Sequence, residues 1–212
     1  MKRNSQHSIV DTRAFRPSPN SFNPRQAHLR KRRTIIVLGV DPGTLVTGYG
    51  VVARKDSEMH LLGCGIIKNG SDESIPLRLR RIYADLQAVI NMFHPDEFAI
   101  ESAFYGKNAQ SALKLGHARG VSILAAVERE IPTTEYSPRE VKKAVVGSGR
   151  ASKEQVQFMV KRILDVADRK MLHDTSDALA IALCHLHRIT VPTSKHRDWK
   201  TYIAAHPERV KS

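Results

Sequence analysis

The sequence predicts an α/β domain built on a mixed five-stranded β-sheet that is flanked by helices. Two observations lead to this class. Short β-branched runs bounded by turn residues alternate with longer segments in which apolar residues recur at helical spacing. The chain of 212 residues is 41% hydrophobic and 26% charged, which is typical of a globular protein with one sizeable core. Three strands followed by alternating helices and strands are typical of a mixed sheet.

The first three segments are predicted to be strands. Residues 35–40 form a β-branched run that ends at a turn signal, the Asp-Pro-Gly of residues 41–43. Residues 49–53 are predicted as a second strand, which makes residues 42–48 the loop of a hairpin. Residues 61–68 are predicted as a third strand. The domain is therefore expected to begin with a hairpin.

The middle of the chain is predicted to alternate between helix and strand. Residues 76–93 form a helix because six apolar side chains fall on one face: Leu79, Ile82, Leu86, Val89, Ile90 and Phe93. Residues 98–100 form a short buried strand that ends at Glu101. Residues 109–130 are predicted as a second helix, with Asn108 as its N-cap.

The last part of the domain is predicted to be one strand and three helices. The strand covers residues 131–136. A basic helical stretch starts at Pro138 and is broken by the glycines of residues 147–149. Ser152 and Gln155 have the spacing of a capping box and open a helix that runs to about residue 164. The final helix covers residues 174–188.

The charge of the sequence indicates a polyanionic partner. Lys and Arg number 34 against 21 Asp and Glu, a formal net charge of +13, and such an excess is most often matched to nucleic acid. Residues 1–33 hold nine of the basic residues and one acid, and they lack a hydrophobic period. We predict a disordered basic arm over residues 1–33, a folded domain over residues 34–190 and a basic tail over residues 191–212.

Three roles stay open for the arm. It can be a solvated tail, a non-specific DNA-binding arm or an organelle transit peptide, and its prolines disfavour the last. Cys64 and Cys184 are too few for a disulfide framework or a cysteine zinc site. No apolar run approaches the roughly 18 residues of a membrane span. We expect a soluble protein of a reducing compartment, with no membrane partner.

Four acidic residues occupy unexpected positions in this basic sequence. Asp41 ends the first strand, Glu101 ends the fourth strand, and Asp174 and Asp177 open the last helix. The carboxyl ends of parallel strands meet at one edge of a sheet, and helical residues three apart share a face. The four carboxylates are therefore expected to converge if the last helix begins at that edge.

Convergent carboxylates repel one another unless a cation neutralises them. Ligands that are all oxygen favour hard cations, with Mg²⁺ or Mn²⁺ first, and a pair of such ions can clamp a phosphodiester. An acidic pocket in a basic protein is thus typical of a metal-dependent nuclease. Spacing alone leaves structural roles open, because Asp41 also suits a turn, Glu101 a loop cap, and Asp174 with Asp177 a helix N-terminus.

Several motifs in one register carry a family resemblance. Residues 37–44 (Val-Leu-Gly-Val-Asp-Pro-Gly-Thr) with 47–50 (Thr-Gly-Tyr-Gly) resemble the opening motif of the RuvC family of bacterial Holliday-junction resolvases. The later motifs of that family are similar to residues 99–101 with Phe104 and Lys107, to residues 111–120, to Lys142 with Lys153, and to residues 174–182 (Asp-x-x-Asp-Ala-Leu-Ala-Ile-Ala). The resemblance covers about residues 34–190.

The resemblance implies a ribonuclease H-like fold of the retroviral-integrase superfamily. It implies a cytoplasmic bacterial enzyme of recombination and repair that resolves Holliday junctions. This enzyme is a homodimer, with the helix of residues 109–130 at its interface, and it nicks two strands symmetrically to leave 5′-phosphate and 3′-hydroxyl ends. The implied cofactor is Mg²⁺, two ions per subunit, with Mn²⁺ as a substitute. The implied partners are four-way junction DNA and the RuvA–RuvB branch-migration complex.

The resemblance also assigns roles to residues. The catalytic and metal-binding acids are Asp41, Glu101, Asp174 and Asp177. The side chains expected on DNA are Phe104, which stacks on or wedges between bases, and the basic residues Lys107, Lys114, Lys142, Lys143, Arg150 and Lys153. His173, beside Asp174, is expected to be non-catalytic, although a histidine can replace the residue at position 174 in this family.

Three other functions are compatible with parts of the sequence. A nuclease of the same fold that acts on RNA–DNA hybrids has the same acids, and the Phe104 loop and the run after Ser111 disfavour it. A non-catalytic junction-binding module is disfavoured because all four acids are present. An actin-like ATP-binding protein shares the Asp-x-Gly turn, but the chain is too short for the two domains of that fold.

Overall fold

The sheet of this protein begins with an antiparallel meander and continues with two parallel strands. A computed structural model describes residues 34–102, 109–167 and 170–190. Its strands are β1 (Ile35–Asp41), β2 (Val46–Lys55), β3 (Glu58–Lys68), β4 (Glu97–Glu101) and β5 (Thr133–Tyr136). Their order across the sheet is β3-β2-β1-β4-β5, with β4 parallel to β1 and β5 parallel to β4. The predicted mixed sheet of five strands is confirmed.

In the described part of the chain, five helices pack on the two faces of this sheet. They are α1 (Ile75–Phe93), α2 (Ala109–Val127), α3 (Pro138–Val146), α4 (Lys153–Ile163) and α5 (His173–Thr190). The predicted capping box of Ser152 with Gln155, which opens α4, is confirmed, and the structure adds a second one at Ser137 with Glu140, which opens α3. Within the described ranges, no helix combines the length and the hydropathy that crossing a bilayer requires.

The side chains of the central strands alternate between the two faces of the sheet, so the core has two layers. Val37 and Ala99 face α3, α4 and α5, whereas Leu38, Phe98 and Ile100 face α1 and α2. Because successive side chains of a strand point to opposite faces, one β-branched run supplies both layers. Helix α5 is the most deeply buried, and its residues from Ala178 to Cys184 are at most 1% exposed. This helix is thereby held firmly against the sheet.

Some predicted boundaries differ from the structure. Helix α2 ends at Val127 and β5 begins at Thr133, so the helix predicted to reach residue 130 and the strand predicted from residue 131 were both too long. A tight turn separates them, in which Glu130 adopts a left-handed φ of 56° and its N–H donates to the carbonyl of Val127. Strand β3 is longer than predicted and starts at Glu58. The predicted N-cap, Asn108, lies outside the described residues.

Candidate active site

Two neighbouring strands place Asp41 and Glu101 at the same edge of the sheet. In the parallel register of β1 and β4, Val40 pairs with Ile100, and the two acids are the next residue on each strand. Both are the last residues of their strands and both are partly buried. The predicted meeting of these carboxylates at the carboxyl edge is therefore observed.

The first turn of α5 lies over this edge because glycines allow a close approach. A methyl group at Gly48 of β2 would lie 2.1 Å from the carbonyl oxygen of Asp174, and one at Gly39 would lie 2.2 Å from that of Ala178. Backbone packs on backbone at both points. Asp174 and Asp177, three residues apart, are thereby held beside Asp41.

Burial and like charge act together on the carboxyl group of Asp41. They raise its pKa from 3.8 to about 7, with burial the largest cause and the charges of Glu101, Asp177 and Asp174 next. Burial, followed by the charge of Asp177, also raises the pKa of Glu101. The folded protein thus holds at least one carboxyl group that is half protonated near neutral pH without a neutralising cation.

Lys153 supplies part of the missing positive charge. Its Nζ lies 3.2 Å from Oδ2 of Asp177, and the charge of Asp177 raises the pKa of Lys153. The charge of Lys153 lowers the pKa of both Asp41 and Glu101, and Lys142 acts on Glu101 in the same sense. The lysine therefore lies at the mouth of the acidic cluster, with its side chain 64% exposed.

The donor set of the cluster fits a hard divalent cation. All four groups offer carboxylate oxygen, which Mg²⁺ and Mn²⁺ prefer, and burial together with the like charges of Glu101, Asp177 and Asp174 raises the pKa of Asp41. Among the described residues, no three acidic, histidine or cysteine side chains are close enough to hold an ion without moving. A bound cation would offset the repulsion among these carboxylates.

The other predicted site residues have different outcomes. Phe104 and Lys107 lie outside the described residues, as do the arm of residues 1–33 and the tail of residues 191–212. Lys114 is exposed on α2 and Lys143 on α3, and neither forms an ion pair with the acids in the part of the chain that is described. His173 is exposed as the first residue of α5, and Arg150 is exposed before α4.

Sequence reasoning missed two features of the site. It assigned Lys153 to phosphate alone and did not find its ion pair with Asp177, which depends on how α4 packs beside α5. It also missed the close approach of α5 to β1 and β2. A signal for the second was present, because glycine within a strand often marks a point where another backbone comes near.

The family is established by comparison with known proteins. The family model described as "Crossover junction endodeoxyribonuclease RuvC" matches residues 37–185, which include Asp41, Glu101, Asp174 and Asp177. This chain belongs to the RuvC family. The family predicted from the sequence motifs is confirmed, and so are the ribonuclease H-like fold class and the class of enzyme, an endodeoxyribonuclease.

Relatives match along nearly their whole length. The crossover junction endodeoxyribonuclease RuvC of Chloroherpeton thalassium is 46% identical over 184 residues, which covers 83% of this chain and 99% of the relative. That of Salinibacter ruber is 45% identical over 177 residues, with the same coverage. A solved structure of T. thermophilus RuvC in complex with a Holliday junction substrate is 36% identical, with a TM-score of 0.70, and covers 73% of this chain and 94% of its own.

Proposed function

We propose that this protein resolves Holliday junctions by nicking two of their strands. The proposed catalytic residues are Asp41, Glu101, Asp174 and Asp177. The observation that carries the proposal is the partly buried acidic cluster, with the pKa of Asp41 raised to about 7, in a chain of net charge +13. Bound cations would reduce the repulsion among these carboxylates. The same cations would neutralise the charge of a nucleic-acid phosphate. The RuvC relative of known structure was solved with a Holliday junction substrate, which supports the same substrate here.

The metal proposed for this site is Mg²⁺, as two ions per subunit, with Mn²⁺ as a substitute. The carboxylates of Asp41, Glu101, Asp174 and Asp177 would hold the ions, with Asp41 as the central ligand of the set because it ends the central strand β1. When bound, the metal supplies the acidity that activates an attacking water and stabilises the departing oxyanion. The RuvC family is a family of metal-dependent nucleases, in agreement with this donor set.

The residues of the chain position the reacting phosphate. Lys153 and Lys142, which lie near Asp177 and Glu101, hold its non-bridging oxygens and lower the repulsion between DNA and the acids. A water oxygen forms the new bond to phosphorus as the bond to the 3′ oxygen breaks. The 3′ oxygen gains a proton, so the products are a 5′-phosphate and a 3′-hydroxyl. Phe104 and Lys107 are proposed to contact the crossover, and Lys114 and Lys143 to contact phosphates farther away.

A second copy of the chain is proposed to pack on α2. Three large apolar side chains of this helix are exposed: Leu113 by 62%, Leu124 by 49% and Val127 by 54%. Gly116 and Gly120 lie between them at helical spacing, and a methyl group at either would meet nothing within 4 Å. Such a face lets the backbones of two α2 helices come close. A symmetric dimer carries two acidic clusters and so cuts two strands of one junction.

The cellular setting follows from the proposed substrate. We place the enzyme in the bacterial cytoplasm, where four-way junctions arise during recombination and repair. The RuvA–RuvB branch-migration complex is proposed as the partner that supplies the junction. The arm of residues 1–33, with its excess of positive charge, is proposed to bind duplex DNA without reading its sequence.

One experiment tests the substrate and the symmetry together. The purified protein is incubated with a synthetic mobile junction, with and without Mg²⁺, and cut positions are mapped on all four strands. We expect metal-dependent cuts at matching positions on two opposed strands, and no cuts in a linear duplex of the same sequence. Cleavage of an RNA–DNA hybrid in preference to the junction would replace the proposal by the hybrid nuclease. Junction binding without cleavage in Mg²⁺ or Mn²⁺ would leave a binding module.

A further inference from the structure

The turn that follows Asp41 is rigidly built. Thr47, which is fully buried, donates its hydroxyl to the carbonyl oxygen of Gly43 at 2.7 Å and accepts from the N–H of Gly43 at 3.3 Å. A methyl group at Gly43 would lie 2.2 Å from the carbonyl oxygen of Val46, so the turn is tight enough to require glycine there. Residues 42–45 are thus closed on themselves directly beside the candidate active site.

Asn69 fastens the same turn to the end of β3. Its side-chain Nδ2 donates to the carbonyl oxygen of Thr44 at 3.0 Å, and its backbone N–H donates to that of Leu45 at 2.8 Å. The side chain of Asn69 is buried, with 5% of the residue exposed. Two successive carbonyl groups of the turn are therefore held by one residue, which removes most of the freedom of a surface loop.

This fixed turn presents an apolar side chain to solvent. Leu45 is 47% exposed, although its backbone is held on both sides. The next residue, Val46, pairs in register with Lys68, which is also exposed. An exposed apolar side chain, Leu45, and an exposed cation, Lys68, are therefore both present at the edge of the sheet that carries the acids. An apolar side chain and a positive charge suit a nucleotide, whose base has an apolar face and whose phosphate is anionic.

We propose that Leu45 contacts the base of a nucleotide next to the scissile phosphate, and that Asn69 is the positioning residue that holds Leu45 there. The inference rests on the proposed function, since it takes the acids beside the turn as the place of cleavage. An unpaired base at the crossover has a free face, whereas a base stacked in duplex does not. A leucine on a rigid backbone gains contact with that face without the entropic cost of ordering a loop. Leu45 thereby aligns the strand that is cut.

The contact is tested by a cycle that pairs Leu45→Ala with the removal of single bases. A set of junctions is used, and each junction carries a single abasic site at one of the nucleotides that flank the cut. We expect Leu45→Ala to lower kcat/KM on the intact junction by about three- to tenfold, as for loss of half a buried leucine side chain. At one abasic position, kcat/KM of the wild type should fall by a similar factor. At that position kcat/KM of Leu45→Ala should not fall below its value on the intact junction. Met92→Ala is the matched control, because Met92 is 54% exposed near the end of α1.

The cycle distinguishes this inference from the proposed function. If the wild type does not cut the junction, the proposed function fails first. If the wild type cuts and Leu45→Ala matches both the wild type and Met92→Ala, the contact does not exist. Equal loss by Leu45→Ala at every abasic position would also overturn it.

The role of Asn69 has a separate readout. Asn69→Ala removes the donor to Thr44, so it should lower kcat/KM in the wild-type background. It should have little further effect in the Leu45→Ala background, because the residue that it positions is then absent. If the factors by which the two substitutions lower kcat/KM multiply fully in the double variant, Asn69 acts by some other route. Thermal unfolding of each variant checks that the loss of activity is not a loss of folding.

Discussion

The two ends of α5 differ sharply in how their charges are satisfied. At the first turn, Asp174 and Asp177 lie near Asp41 and Glu101, and Lys153 is the nearby cation that is ion-paired with Asp177. At the other end, Arg54, Tyr136 and Arg188 each have a partner of complementary character. One helix therefore joins a region that opposes folding to a region that favours it.

The C-terminal half of α5 is fixed by a network of polar contacts. Arg54 of β2 donates to the carbonyl oxygen of Leu186 at 2.7 Å, and the Tyr136 hydroxyl lies 2.8 Å from Nδ1 of the buried His185. The guanidinium of Arg188 lies 5.3 Å from the ring centroid of Tyr136 and forms an ion pair with Glu140 of α3. These contacts tie α5 to both the sheet and α3.

The difference indicates which part of the fold is available for function. Burial and like charge in the acidic cluster cost free energy of folding, as is common at sites built for binding. The network at the other end, with the apolar core along α5, offsets that cost. Substitutions at the two ends should therefore have opposite effects on stability, while only those at the acidic end should abolish cleavage.

The largest expected effect is loss of cleavage at the acidic end. Glu101→Gln should reduce junction cleavage by at least about a thousandfold, because it removes a charged ligand from the proposed metal site without changing its shape. Junction binding should be unchanged or tighter, since the variant repels phosphate less. The cleavage rate is measured on a labelled junction, and the binding affinity is measured by fluorescence anisotropy. A variant that still cuts at nearly the wild-type rate in Mg²⁺ would exclude Glu101 as a metal ligand.

At the opposite end, Arg54→Met should destabilise the protein. The substitution leaves the buried carbonyl of Leu186 without this donor, which costs about 2–3 kcal/mol. Denaturant unfolding measures the loss. Arg80→Met, at an exposed position of α1, is the control and should change the free energy of unfolding by less than about 0.5 kcal/mol. Similar values for the two variants would mean that the network contributes little.

Asp41→Asn should stabilise the metal-free protein, and more so at high pH. The pKa of Asp41 is raised in the folded state from 3.8 to about 7, so the folded protein binds more protons than the unfolded chain between these values. The free energy of unfolding of the wild type therefore falls as pH rises through this range. Asparagine does not titrate, so we expect a gain of about 1–3 kcal/mol near pH 8 and less than half of it near pH 5.

The control for this pH dependence is an aspartate outside the cluster. Asp165 is exposed and has a left-handed φ of 52°, which asparagine tolerates well, so Asp165→Asn should leave stability nearly unchanged at both pH values. Unfolding in denaturant with a chelator present gives both comparisons. A gain for Asp41→Asn that is the same at both pH values would contradict the raised pKa.

The smallest expected effect concerns the cation at the mouth of the cluster. Lys153→Gln removes the charge that lies 3.2 Å from Asp177, so Mn²⁺ should bind about three- to tenfold more tightly. Calorimetric titration with Mn²⁺ measures this without any cleavage. Lys161→Gln, farther along α4, is the control. Weaker Mn²⁺ binding by Lys153→Gln would show that the lysine orders the carboxylates instead of competing with the metal.

The acidic edge could be predicted from the sequence because its positions follow from local patterns. A strand that ends in an acid, such as that of Asp41 or Glu101, can be read from hydrophobic runs and turn signals, and the fold then brings the ends together. The ion pair of Lys153 could not be predicted, since it depends on the packing of α4 against α5. The end of α2 was missed for a related reason, because the left-handed Glu130 has no local signature.

The glycine contacts beneath α5 have a mechanical consequence. At Gly39 and Gly48 no side chains separate helix from strand, so there is no soft layer to absorb a displacement. A force on the strands, such as DNA pulling on the turn after Asp41, is transmitted to the first turn of α5 almost undiminished. The backbones that carry Asp41, Asp174 and Asp177 should consequently keep their relative positions when the enzyme engages its substrate.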